Sequence, residues 1–183
     1  MLDRAYVEKL SERFTDIREH LLTLYDLAVK INAKIIVELG AGQSTYALMA
    51  AANKTGGQLW SIDVLEDAYL REWPQGKQDL KLCDHLTQIV ADDIYIGNGW
   101  EDPIDFLFID TSHQYEHTLN ELKIWTPLVR KGGIICMHDT HHTVGHAVRC
   151  REALDYFLKE NPDDFLVTHF PNCGGLSILT KLK

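Results

Sequence analysis

Apolar positions change period several times along this chain. Leu10, Phe14, Ile17, Leu21, Leu24, Ala28 and Ile31 step by four and three in alternation, which sets them on one stripe of a helix through the first thirty residues. Asn32 is the stop, since Asn tolerates the left-handed turn that closes many helices. The stripe has two readings: a helix laid across the domain's own core, or a seam joining two copies in a homodimer. Beyond it come short, continuous apolar runs: KIIVEL (34–39), QLWSID (58–63), LTQIVADD (86–93), IDFLFID (104–110) and IICMHD (134–139). Helical patterns separate several of them. One spans 45–53 after a glycine turn. Another spans 115–128, with Leu119, Leu122, Ile124, Trp125 and Leu128 on a broad apolar face before the stop RKGG. A third spans 144–160, with Ala147, Val148, Leu154, Phe157 and Leu158 inward. DFLVTHF and GLSILTK close the chain, joined through PNCGG with no helix between them.

Buried strands alternating with helices predict an α/β fold, with a mostly parallel sheet covered on both faces. The two closing strands predict an antiparallel hairpin at the C-terminal edge. Residues 1–32 are an N-terminal helical extension of the same domain, acting as cap or dimer seam, and 33–183 are the sheet domain. A length of 183 residues suits one core.

Composition narrows the partners. Lys and Arg number 18 against 27 Asp and Glu, a net charge of −9, with no basic run to meet nucleic acid or an anionic membrane. No apolar stretch reaches a membrane span, and MLDRAYVEKLSERF is too charged for a signal peptide. Cys83, Cys136, Cys150 and Cys173 form no CxxC pair, so they read as reduced packing thiols of a cytoplasmic protein.

The chemistry gathers at the strand ends, which carry Glu38, Asp63, Asp92 and Asp93, Asp110, and His138 and Asp139. In parallel sheets ligands sit at the carboxyl ends of the strands, near the switch point, so these residues outline one site. VELGAGQST (37–45) supplies its turn. Gly40 and Gly42 begin a GxGxxG pattern, but Thr45 stands where the third glycine belongs. Asp63, 21 residues past Gly42, is placed to take ribose hydroxyls. Glu38 is a poor neighbour for a pyrophosphate and suits a cationic ligand. S-adenosylmethionine fits both, having a ribose, an ammonium and a sulfonium but no phosphate.

The ordered set of VELGAGQST, a strand ending in Asp63, ADD, DFLFIDTSHQYEHTLNELKIWTPLVRKGG and IICMHDT resembles a class I S-adenosylmethionine-dependent methyltransferase over residues 33–181. FIDTSHQYE followed by GGIICMHDT is similar to small-molecule O-methyltransferases of the macrolide-sugar type and to cephalosporin-hydroxylase-like proteins. The resemblance implies a Rossmann-like sheet of seven strands. It implies that Glu38, Gly40 and Gly42 line the methionine and ribose side of the cofactor, with Asp63 at the ribose and Asp92 or Asp93 at the adenine amine. It also places Asp110 beside the cofactor, as ligand of a divalent cation in metal-dependent relatives. His138 and Asp139 match the further ligand positions, with His138 standing where relatives carry an acid. Magnesium, manganese or another divalent cation is therefore a candidate cofactor, with Asp110, His138 and Asp139 as its ligands. His113 matches the family's base, and Asp110 and Asp139 complete the catalytic group.

The implied reaction is methyl transfer to a hydroxyl of a small molecule. Two other readings remain. His142 and His146 are spaced as a helical metal pair, which with Asp110 or Asp139 gives a metal-dependent hydrolase or hydroxylase-like enzyme. The small size also suits a non-catalytic cofactor-binding module. Nucleic-acid methylation is disfavoured, because the fourth strand ends in IDTSH, without the Asp/Asn-Pro-Pro-aromatic motif of base amino-group methylases. Substrate contacts are expected from the N-terminal helix and from loops 64–84 and 94–103.

Overall fold

A computed structural model describes residues 2–13, 15–66, 68, 84–141 and 148–183. The apolar runs become strands β1 (Ile35–Leu39), β2 (Gln58–Asp63), β3 (Leu86–Val90), β4 (Ile104–Ile109) and β5 (Val129–His138), followed by β6 (Phe165–Phe170) and β7 (Leu176–Lys181). They form one seven-stranded sheet in the order β3-β2-β1-β4-β5-β7-β6. Strands β1 to β5 run parallel, and β7 lies antiparallel between β5 and β6. The sheet and its closing hairpin match the expected Rossmann-like architecture. The chain reverses its winding between β1 and β4, so the ends of those two strands flank the switch point.

Alternation along the strands builds two cores. Ile36, Leu59, Phe106, Phe108 and Cys136 point to one face, where α1 (Arg4–Ser11), α2 (Leu21–Lys30) and α3 (Gln43–Thr55) pack. Val37, Leu39, Ile62, Leu107 and Ile135 point to the other. There they meet α5 (Tyr115–Trp125) and α6 (Cys150–Glu160), with the short α4 (Asp93–Asn98) beside them. Gly97 lets α4 approach α5, because a Cβ there would lie 2.6 Å from Ile124 and 2.8 Å from Trp125.

Several boundaries differ from expectation. The single N-terminal helix is two helices, with a turn of 3-10 helix at Arg18–His20 between them. The stripe survives the break because both pieces lie on one core. Leu10, Ile17, Leu21, Leu24 and Ala28 are all buried within the chain, so these side chains are not left for a seam with a second copy. Asn32, at φ +53, closes α2 as expected. Its N–H reaches the Val29 carbonyl at 3.0 Å and that of Ala33 the Ala28 carbonyl at 3.0 Å, the paired bonds of a Schellman stop. RKGG is no boundary but an irregularity inside β5, which starts at Val129 and shifts register against β4 between Ile104 and Phe106. The helix at 115–128 ends at Trp125, and Thr126–Leu128 tightens into 3-10 helix. LTQIVADD divides into β3 and the start of α4, a helix not anticipated in 94–103. The last helix begins at Cys150 among the described residues. Phe14, Cys83, Ala147 and the His142–His146 pair lie outside the described residues, as does most of loop 64–84.

Candidate active site

The glycine turn is held from three sides. Gly40, at φ +87, abuts β4 so closely that a Cβ would sit 1.9 Å from the Asp110 carbonyl oxygen. Only glycine supplies that backbone and that approach. Asp63 braces the turn from β2, accepting from Ala41 N–H at 2.9 Å and from Leu65 N–H at 2.8 Å. Gly42 differs: a Cβ there would meet nothing within 4 Å, so its surroundings are open.

Glu38 is fully buried beneath the turn, and its carboxylate accepts from Ser44 Oγ at 2.6 Å, Thr45 Oγ1 at 2.7 Å and Ser61 Oγ at 2.5 Å. Thr45 Oγ1 in turn accepts from Gly42 N–H at 3.1 Å. The expected direct contact between Glu38 and a ligand is thus replaced by support. The carboxylate orients two hydroxyls at the start of α3 and ties them to the Ser61 hydroxyl on β2. Burial raises its pKa to about 7, against the pull of those hydroxyls.

Two cavities open on either side of the contact between Gly40 and Asp110, and both residues line both cavities. The larger, about 340 Å³, is bordered by Asp63, Val64, Leu65, Asp92 and Thr111, within the size range of small-molecule sites. The smaller, about 170 Å³, is bordered by Asp16, Ile17, Gly42, Gln43, His113 and Asp139. Asp92 is exposed and caps α4 through Tyr95 N–H at 3.1 Å, whereas Asp93 is buried and meets His117 Nε2 at 3.2 Å. Both line the larger cavity, and Asp92 is the more exposed of the two.

At the far side of the smaller cavity, Asp110 and Asp139 converge on one nitrogen. His113 Nε2 lies 3.1 Å from Asp110 Oδ1 and 3.0 Å from Asp139 Oδ2. His113 and Asp139 both adopt left-handed backbone, at φ +59 and +53. Such strain in non-glycine residues clusters at functional sites. The His113 carbonyl is pinned by Arg149 N–H at 2.9 Å. Hydrogen bonds to Asp110 and Asp139 outweigh burial and raise the His113 pKa to about 10. Burial opposes ionisation of Asp110, yet His113 and His138 together lower its pKa to about 2. His113 was expected as a base, but in this arrangement it is a cation whose Nε2 already faces two carboxylates. It can accept a proton only after giving one up.

His138 also departs from expectation. Its side chain is 1% exposed, and its Nε2–H donates to the Cys173 carbonyl at 2.7 Å. Its Nδ1 faces Asp110 at 3.4 Å and Asp139 at 3.7 Å. Burial lowers its basicity, but the two carboxylates prevail and raise the pKa to about 9. At this end, Asp110, His113 and Asp139 have ligating atoms within 4.8 Å of one another, so that His113 stands in the group where His138 was expected.

Residues missed in the sequence hold this end in place. His20, at the close of the 3-10 turn, donates from Nε2 to the Asn172 carbonyl at 2.8 Å and packs edge-on to His138 at 5.6 Å. No local pattern marks a contact between residues 152 positions apart. Ser44 and Thr45 could have been found, because hydroxyls directly after a glycine turn are placed to reach an acid before it.

Residues 37–140 match a family model described as a methyltransferase domain. Among solved structures, the chain is similar to a methyltransferase from Geobacter sulfurreducens, at 20% identity and TM-score 0.69 over 98% of this chain and 88% of that one. It is also similar to the SAH-bound methyltransferase PaMTH1 of Podospora anserina, at 15% identity and TM-score 0.68 over 98% and 87%. A third is the O-methyltransferase TomG of Streptomyces achromogenes, involved in tomaymycin synthesis and solved with SAM, at 16% identity and TM-score 0.65 over 97% and 89%.

Proposed function

The chain belongs to the methyltransferase-domain family, and from that premise we propose that it transfers the methyl group of S-adenosylmethionine to a hydroxyl of a small molecule. The observation that carries this reading is the pair of cavities meeting at Gly40 and Asp110, one bordered by Asp63 and Asp92 and the other by His113 and Asp139. A ribose would take Asp63, whose oxygens already fix the turn, and an adenine amine would take the exposed Asp92. The methionine end would cross Gly42, where there is room. The acceptor would enter the smaller cavity.

In the transfer, the hydroxyl oxygen forms a bond to the methyl carbon as the carbon–sulfur bond breaks, leaving a neutral sulfide. The hydroxyl proton must go to a base or to solvent. Alignment of the two partners is the larger part of the task. Without a cation, His113 would take that proton once its own proton is lost. The donor set of Asp110, His113 and Asp139 fits a divalent cation, being one nitrogen and two carboxylates in mutual reach. With such a cation bound, Asp110, His113 Nε2 and Asp139 would be its ligands and the hydroxyl's pKa would be lower, so that the hydroxyl proton would pass to solvent without His113 as its base.

The test is methyl transfer from labelled S-adenosylmethionine to a library of hydroxylated compounds, chosen with the help of any ligand that co-purifies. Product methylated on oxygen is expected, with loss of rate in excess chelator. Tight cofactor binding without any methylated product would overturn the reading and leave a binding module. Full activity in chelator would remove the cation alone.

A further inference from the structure

A second group of metal-ligating side chains borders the larger cavity, apart from Asp110 and Asp139. His117 and Glu121 lie one turn apart on α5, and Asp93 opens α4 against them. His117 Nε2 is 3.2 Å from Asp93 Oδ2 and 3.5 Å from Glu121 Oε1. One ligating atom from each residue lies within 4.8 Å of the other two. Ligands about 2.1 Å from a tetrahedral zinc stand about 3.4 Å from one another, so both spacings suit a shared ion.

What distinguishes this group from an ordinary ion pair is its unmet valence. Glu121 is fully buried and Asp93 is 7% exposed. Each has one oxygen engaged, Asp93 Oδ2 by His117 and Glu121 Oε1 by the Thr111 hydroxyl at 2.6 Å. The other oxygen of each, Asp93 Oδ1 and Glu121 Oε2, is buried without a partner. A buried carboxylate oxygen lacking a donor is costly, and here two neighbouring carboxylates each have one. Among the described residues His117 is the single ion-pair partner of both, so two carboxylates face one imidazole. A divalent ion with a neutral imidazole would balance the charge. Asp93 and His117 also line the larger cavity, which gives an ion a way in.

We infer that Asp93, His117 and Glu121 form a second divalent-metal site, and that its mixed nitrogen and carboxylate ligands select a transition metal such as zinc over magnesium. The site ties α4 to α5 beneath the larger cavity and stands independently of the methyl-transfer reading.

Protein stripped with chelator and dialysed would be titrated with zinc by calorimetry, comparing wild type with His117→Asn and Asp139→Asn. The His117→Asn substitution is expected to weaken one equivalent of zinc by roughly 100-fold or more, and Asp139→Asn to leave that equivalent intact. Asp93→Asn, with folding checked by circular dichroism, serves the same comparison should His117→Asn fail to fold. Wild-type protein that takes up no zinc, or a His117→Asn or Asp93→Asn variant that binds it as wild type does, would overturn the site. So would loss of all zinc in Asp139→Asn.

Discussion

At the amino end of the sheet, Asp105 accepts from Lys34 N–H at 2.7 Å and Ile35 N–H at 2.9 Å and also pairs with Arg130. Nearby, Lys181 Nζ donates to the carbonyls of Thr126, Pro127 and Val129 at 3.0, 3.0 and 2.7 Å. At the carboxyl end, His113, Asp139 and Cys173 are held at positive φ, Asp110 and Asp139 converge, and Glu38 is buried with three hydroxyls donating to it among the described residues. One acid from each end makes the contrast plain. Burial works against the charge of Asp105, yet Arg130 and the two backbone donors hold its pKa below the ordinary value. Burial wins at Glu38 and holds its pKa above. The fold favours the charge of Asp105 and opposes that of Glu38, while Asp110, faced by His113 and His138, keeps its charge through imidazole partners where Asp105 uses Arg130 and backbone donors.

The sharpest way to break that contrast is Asp110→Asn. Removing the carboxylate that His113 and His138 both face is expected to lower methyl transfer by roughly 10²- to 10⁴-fold. The melting temperature should fall modestly, because the carboxylate loses two imidazole partners while its repulsion with Asp139 is relieved. A melting temperature that collapses with activity would make Asp110 part of the scaffold.

The two acids should then give opposite pH dependences. Glu38 has a folded pKa of about 7 against an ordinary 4.5, so the folded state binds its proton more tightly than the unfolded chain. Its contribution to stability is therefore fully present below 4.5 and lost as pH rises through about 7. The whole loss is at most roughly 3 kcal/mol. Glu38→Gln should flatten the fall in urea-derived stability across that window, and an unchanged slope would remove Glu38 as its source. Asp105 has the reverse sign: its contribution is present above its ordinary pKa and lost as pH falls below it.

At neutral pH, Asp105→Ala is expected to lose about 2 kcal/mol of stability, having left two backbone N–H groups and Arg130 without an acceptor. Activity per folded molecule should be retained. A cofactor-binding defect without destabilisation would place Asp105 on the wrong side of the comparison. The smallest structural effect is expected from Gly42→Ala, within about 0.5 kcal/mol in denaturant because its Cβ meets no protein atom within 4 Å. If the methionine end crosses Gly42, calorimetry should still show weaker S-adenosylmethionine binding, and unchanged affinity would move the ligand elsewhere.

The same contrast explains what could be read from the sequence. Strands β1, β2 and β4 were legible because each is a short apolar run closed by a polar residue, and those residues sit at the switch point. The acids of the candidate site were legible as strand ends for the same reason. Their partners were not. His113 Nε2, and not His138, lies between the two carboxylates, while His138 Nε2–H is committed to the Cys173 carbonyl, a contact across 35 positions. The break between α1 and α2 was hidden because a 3-10 turn can keep an apolar stripe in phase. Helix α4 was missed although Asp92, its cap, stood before the apolar Ile94 and Ile96. His117 and Glu121 carried a visible i,i+4 spacing, but only the structure brings Asp93 to them.

The wall between the two cavities has an evolutionary consequence. Where Gly40 meets the Asp110 carbonyl, both sides are main chain, and any residue with a Cβ at position 40 collides with it. Point mutation can therefore remove the partition only at the cost of the turn itself. The side chains around it that are exposed and so freer to vary are Asp16 on one side and Val64 and Leu65 on the other. A lineage descending from this chain could exchange one acceptor for another through the first side while inheriting the second cavity unaltered.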